Sequence, residues 1–143
     1  MLVRIIVNPA AAGGRLGREW PELERRLTAT GLKADVVLTE APWHATELAS
    51  QAVAEGETRV VAAGGDGTVN TVLAAIVRQA PADLLPSIRV GAVGLGSSND
   101  FHKPFGTMIN KIPCRIDFAS VRPHDIGVMG YRDPGGTPRT RFW

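Results

Sequence analysis

Cysteine occurs once in this chain, at Cys114. No disulfide can close within the chain, which excludes a small loop-rich scaffold stapled by bridges. A lone thiol suits a reducing compartment, so the cytoplasm is the expected location. Long apolar runs are also missing. No stretch approaches the roughly 18 residues that span a bilayer, so any membrane contact is expected to be peripheral. The opening run Met1–Val7 is interrupted by Arg4 and lacks the layout of a secretory signal. Charge of one sign is scarce: sixteen Lys and Arg against fourteen Asp and Glu leave a net +2, too little to argue for nucleic acid as a partner. Two familiar phosphate loops are absent. There is no Gly-x4-Gly-Lys-Ser/Thr, and no Gly-x-Gly-x-x-Gly opens the first helix, which excludes a Walker-type loop and the dinucleotide fingerprint.

What remains is ordinary in bulk and uneven in detail. At 143 residues, 44% hydrophobic and 21% charged, the chain fits one folded domain that buries roughly two-thirds of its unfolded surface. Residues 102–143 hold seven basic and three acidic side chains, net +4; residues 1–101 hold nine and eleven, net −2. A basic end can meet anionic headgroups or phosphates, although a solvated surface is the commoner meaning of such a stretch.

The chain is organised around Ala63-Gly64-Gly65-Asp66-Gly67-Thr68-Val69-Asn70. An apolar run, 58–63, precedes it. Val69, Val72, Leu73, Ile76 and Val77 follow at helical spacing, so the order reads strand, glycine-rich turn, helix to about Arg78. Glycines remove side chains where the backbone bends and a ligand comes close. The helix start aims free N–H groups and the positive end of its dipole at the same point, which suits a phosphate at Gly64–Gly67. Asp66 beside a phosphate makes sense with a cation between them. Mg²⁺, which keeps waters, would bridge the two. The plainer alternative is a turn carboxylate capping the helix.

Further strands are expected at 2–7, 33–38 and 88–93. Helices are expected with apolar stripes Leu16, Trp20, Leu23, Leu27 and Ala45, Leu48, Ala49, Ala52, Val53. Small-residue or glycine turns follow the first, third and fourth strands: Asn8-Pro9-Ala10-Ala11-Ala12-Gly13-Gly14 and Gly94-Leu95-Gly96 flank the central turn. Parallel strands joined by right-handed crossovers put such turns on one sheet edge, where open α/β sheets bind ligands. The fold class expected is therefore α/β, a three-layer, doubly wound, mainly parallel sheet. Beyond Phe105 the pattern weakens. It suggests a short helix at 108–112, strands at 114–118 and 121–127, and a hairpin turn within 131–138.

Gly64–Asn70 resembles the Gly-Gly-Asp-Gly-Thr-x-Asn signature of the diacylglycerol kinase catalytic domain family. That family includes bacterial lipid kinases and sphingosine kinases and is related to the NAD kinases. Asn8–Arg15 is similar to the family's opening Asn-Pro loop. Gly94–Phe101, Gly-Leu-Gly-Ser-Ser-Asn-Asp-Phe, is similar to its third segment. The resemblance implies a nucleotide-binding domain that holds ATP and Mg²⁺ and serves phosphoryl transfer to a lipid hydroxyl. It implies nucleotide contacts from Asn8, Pro9, Ala10, Ala11, Ala12 and Gly13, from Thr39 at the end of the second strand, and from Gly64, Gly65, Asp66, Gly67, Thr68, Val69 and Asn70. Gly96 and Ser97 would allow close approach, and Asn99 and Asp100 would brace the loop or line the cleft. Asp66 is the candidate for catalytic or water-mediated metal chemistry.

In that family the main base and much of the metal network come from a second, β-sandwich domain. An Asp-x-Gly like Asp125-Ile126-Gly127 precedes it. The resemblance thus divides the chain into 1–127 and the start of a second domain at 128–143, and implies little activity for this stretch alone. Phe142 and Trp143, large aromatics at an end, would seek burial, and self-association is one way to reach it. Thr71 stands where the family often has Glu, and Ser97, His102 and Lys103 depart from its third segment. The acceptor is accordingly open, an NAD kinase-like enzyme is the nearest alternative, and a non-catalytic nucleotide-binding or interaction module is the alternative from another class.

Overall fold

The computed structural model describes residues 2–142. Trp143, half of the expected aromatic end, lies outside them. Four parallel strands form the centre: β1 (Val3–Val7), β2 (Ala34–Leu38), β3 (Arg59–Gly64) and β4 (Arg89–Gly94), in the order β2-β1-β3-β4. Two antiparallel strands, β5 (Met108–Ile109) and β6 (Ile112–Arg115), extend the sheet beyond β4 as β4-β6-β5. Helix α1 (Ala11–Ala29) covers one face; α2 (His44–Ala54) and α3 (Asp66–Gln79) cover the other. The result is the three-layer, doubly wound, mainly parallel sheet that the order of elements implied.

Strand residues alternate between two cores. Val3, Ile5 and Val7 meet Leu16, Trp20, Leu23 and Leu27 of α1. Ile6, Val60 and Ala62 meet the stripe of α2 and Val69, Val72 and Ile76 of α3. Each large side chain so enclosed contributes on the order of 1.5–3 kcal/mol of transfer free energy. Arg4 is the one charge inside β1. Its Nη2 reaches Glu55 Oε2 at 2.8 Å and its Nε lies 2.9 Å from Asp35 Oδ2, so the guanidinium is paired at the margin of the second core.

The expected helix at 108–112 is instead the β5–β6 hairpin. Asn110 and Lys111 take positive φ of 51° and 63°, as a two-residue turn between antiparallel strands requires. Sheet pairing outweighs the local signal, because Ile112 and Cys114 are buried against the α1 core beside β4. The strand expected at 114–118 lies earlier, at 112–115, and 121–127 forms no strand. That segment is exposed almost throughout, and Pro123 has no N–H for a ladder. Residues 128–142 form a separate antiparallel pair, β7 (Val128–Arg132) and β8 (Pro138–Phe142), around the expected turn. Side chains of α3 hold its edge: Asn70 Nδ2 donates to Phe142 O and Arg78 Nη2 to Thr140 O, both at 2.8 Å.

Candidate functional site

Order β2-β1-β3-β4 with α1 on one face and α3 on the other makes the connections leaving β1 and β3 diverge. A crevice opens at the carboxyl ends of those strands, the switch point where doubly wound sheets take ligands. A cleft of about 570 Å³ lies there. Residues 8–12 form one wall and Thr39, Glu40, Ala41, Pro42 and Ala45 another. Gly65, Gly67, Thr68 and Thr71 form the floor at the start of α3, and Leu95 and Gly96 close the side.

Backbone contacts hold the three strand-end loops together. Asn8 N donates to Ala63 O at 2.8 Å and Leu95 N to Gly64 O at 2.9 Å. Gly65 and Gly96 abut: a Cβ on Gly96 would sit 2.7 Å from Gly65 Cα, and one on Gly65 would sit 3.2 Å from Gly96 Cα. Only two residues without side chains allow those loops to come so close. Asn8 spans the crevice. Its Oδ1 accepts from Ala10 N and its Nδ2 donates to Thr68 Oγ1, each at 3.1 Å. Asn99, left-handed at φ 51°, accepts from Gly96 N through Oδ1 at 2.7 Å. It fixes the third loop from within.

The start of α3 carries the free donors. Gly65 is the N-cap in extended conformation, with no side chain capping the helix. Thr68 N and Val69 N both turn back to Gly65 O, leaving the amides before them to whatever occupies the cleft. Asp66 does not cap. Its Oδ1 accepts from Phe101 N at 3.2 Å and ties the third loop to α3, and Asp66 is not part of the cleft wall. At the other wall, Ala12, Gly13 and Gly14 all have positive φ, so the loop of small residues bends sharply before α1 settles into helix.

The sequence-derived residues therefore divide. Asn8, Pro9, Ala10, Ala11, Ala12, Thr39, Gly65, Gly67, Thr68 and Gly96 line the cleft. Gly13, Gly64, Asp66, Ser97, Asn99 and Asp100 lie behind it or beside it. Ser97 is exposed, and Asp100 pairs with Lys103 at 2.8 Å. Val69 is core, and Asn70 faces the β7–β8 hairpin. Glu40, Ala41, Pro42, Ala45, Thr71 and Leu95 join the wall without having been named as nucleotide contacts; being next to strand ends was the signal available for Glu40 and Leu95. His44 accepts from Glu40 N through Nδ1 at 3.1 Å, which fixes the turn after β2.

His102 lies beneath the third loop, 2% exposed, with neither ring nitrogen hydrogen-bonded among the described residues. Burial chiefly, and then the Arg115 charge, hold its pKa below the ordinary value, partly offset by Asp66. Burial therefore favours the uncharged ring at neutral pH. No group of three or more His, Cys, Asp or Glu among the described residues could hold a metal by itself. Asp66 stands outside the cleft lining with Oδ1 accepting from Phe101 N, so a Mg²⁺ ion in the cleft would meet it only through water.

Fold and cleft together define a doubly wound α/β domain with its ligand site at the switch point. The sequence profile of the diacylglycerol kinase catalytic domain matches residues 2–129, and the chain belongs to that family. A probable lipid kinase YegS-like protein of Xanthomonas campestris pv. campestris is 43% identical over 99 residues, covering 68% of this chain and 30% of the relative. The diacylglycerol kinase of Staphylococcus aureus (strain MRSA252) is 33% identical over 133 residues, 90% of this chain and 40% of the relative. That of Bacillus subtilis is 29% identical over 127 residues, 87% of this chain and 40% of the relative. The chain thus spans well under half the length of these relatives.

Proposed function

We propose that this chain is the ATP-binding part of a lipid kinase that transfers the γ-phosphate to a hydroxyl of a diacylglycerol-like lipid. One observation carries the reading: three side-chain-poor loops converge on one cleft, with the uncapped start of α3 as its floor. Amides at Gly65–Gly67 and the helix dipole would hold phosphates. Thr39 and the 8–12 loop would line the rest of the nucleotide, with Asn8 keeping that loop against Thr68. When bound, Mg²⁺ would neutralise phosphate charge, with Asp66 as its protein ligand through water. Phosphoryl transfer depends on positioning and charge neutralisation, and this chain supplies the positioning of the donor.

Among the described residues no carboxylate or histidine lies on the cleft floor as a base; Glu40 stands on the wall and His102 beneath the loop. We therefore expect residues 128–142 to begin a second unit that completes the site, and this chain alone to bind ATP with little turnover. Calorimetry with ATP and Mg²⁺, followed by an assay for phosphate transfer to a short-chain diacylglycerol in detergent, tests both parts. Saturable binding with negligible transfer is expected. No binding at millimolar nucleotide overturns the reading, and robust transfer overturns the need for a second unit.

A further inference from the structure

Of the described residues that line the cleft, only Glu40 has a charged side chain. The other polar side chains there are largely engaged. Asn8 bonds Ala10 N and Thr68 Oγ1, and Thr71 donates to Gly67 O at 2.9 Å. Glu40 is exposed, and its carboxylate forms no ion pair among the described residues. The backbone beneath it is fixed. Thr39 N donates to Val7 O at 2.8 Å and Glu40 N to His44 Nδ1 at 3.1 Å. Register sets Glu40 opposite the start of α3. Leu38 and Ala63 are both level with Val7, and Glu40 and Gly65 each follow two residues later, with β1 between their strands. Neighbouring strands lie about 4.8 Å apart, so the two positions leave the sheet roughly 10 Å apart.

We propose that Glu40 is a specificity residue for the sugar of a nucleotide, accepting hydrogen bonds from the vicinal hydroxyls of a ribose. The proposal rests on the nucleotide reading of the cleft and names the part of the ligand that meets its far wall. Phosphates would gather at the free amides and positive dipole end of α3. A carboxylate beside them would repel them. One set two strand spacings away instead meets a part of the molecule that carries no charge. Two carboxylate oxygens accept from two neighbouring O–H donors at once, and a charged acceptor makes such bonds stronger than a neutral one does. A sugar that lacks one of those hydroxyls leaves an oxygen without its donor, which is how a polar site rejects a near-copy of its ligand.

Calorimetry on the full chain tests this by measuring Kd for ATP and 2′-deoxy-ATP, each with and without Mg²⁺. The proteins compared are the parent, Glu40→Ala and Glu47→Ala. Glu47 is an exposed carboxylate on α2 outside the cleft lining. The parent should bind 2′-deoxy-ATP about ten- to a hundredfold more weakly than ATP, the loss of one hydrogen bond to a charged group. Glu40→Ala should weaken ATP by at least that factor and bring the ratio of the two Kd values close to one. Glu47→Ala should leave the ratio as in the parent. Both substitutions are of exposed side chains and leave the backbone contacts of Thr39 and Glu40 in place. Equal binding of the two nucleotides by the parent, or an equal loss for both in Glu40→Ala, overturns the assignment while the nucleotide reading survives. Tighter binding of ATP in Glu40→Ala also overturns it, since the carboxylate would then lie beside phosphate. A loss seen only with Mg²⁺ present assigns Glu40 to the cation and overturns the ribose contact. Binding of neither nucleotide overturns both readings.

Discussion

Replacing Gly67 by Ala separates what the glycine does for the fold from what it does for a ligand. Gly67 is the second residue of α3, and a Cβ built on it meets no atom within 4 Å. Its φ is not in the left-handed region, so alanine fits the backbone without strain. Helix propensity then favours the variant by up to about 1 kcal/mol. The same residue is part of the cleft floor. If phosphate oxygens sit on the amides there, a methyl group displaces them. Losing one charge-assisted hydrogen bond costs about 1.5–3 kcal/mol, or about ten- to a hundredfold in Kd. Urea denaturation and calorimetry with Mg²⁺ and ATP read the two quantities independently. Gly96→Ala supplies the contrast, since its Cβ would lie 2.7 Å from Gly65 Cα and two backbones must part. Strain of about 1–3 kcal/mol should lower its stability and its affinity together. A Gly67→Ala protein that is as stable as the parent and binds ATP equally well would refute the placement of phosphates at the start of α3.

Asn8→Ala removes the link from the first loop to Thr68 and the acceptor of Ala10 N. It should cost about 1–2 kcal/mol and weaken nucleotide binding, whereas Asn8→Asp keeps the Ala10 contact and should cost less by the same denaturation assay. His102 should titrate below the ordinary histidine range in NMR, because burial disfavours its charged form. Unfolded chain then takes up the proton first as pH falls. The stability tied to His102 is therefore complete above about pH 6.5 and declines below it. His102→Leu should flatten that part of a stability–pH curve, and an unchanged slope would count against the buried neutral ring. Burial pushes the Cys114 thiol up to about 11, so thiol reagents at neutral pH should modify it only as fast as the chain opens. Rapid labelling under native conditions would contradict its place in the core.

The central elements were legible because their signals are local and strong. The stripes Leu16–Leu27 and Ala45–Val53 repeat at helical spacing, and every residue in them is buried. Glycines at 64–67 and 94–96 mark strand ends by chemistry that few other residues can supply. At 108–127 the signals were weak and the sheet decided. Residues 108–112 hold Met108 and Ile109 before Asn110-Lys111 and Ile112 after it, which suits a helical turn and a tight hairpin equally. Burial of Ile112 and Cys114 beside β4 selects the hairpin.

Sequence alone determined the order of strands and helices through β4, the three side-chain-poor loops, and the family to which they belong, since each depends on residues near one another in the chain. Tertiary structure alone decided which of the motif residues face the cleft. It turned Asp66 toward Phe101, Asn70 toward β8 and Asn99 into its own loop, and it brought Glu40 and Thr71 to the wall. A side chain's direction at a strand end depends on the neighbouring loop that offers it a partner. Those partners lie 35 residues away for Asp66 and 72 for Asn70, beyond the reach of any local pattern.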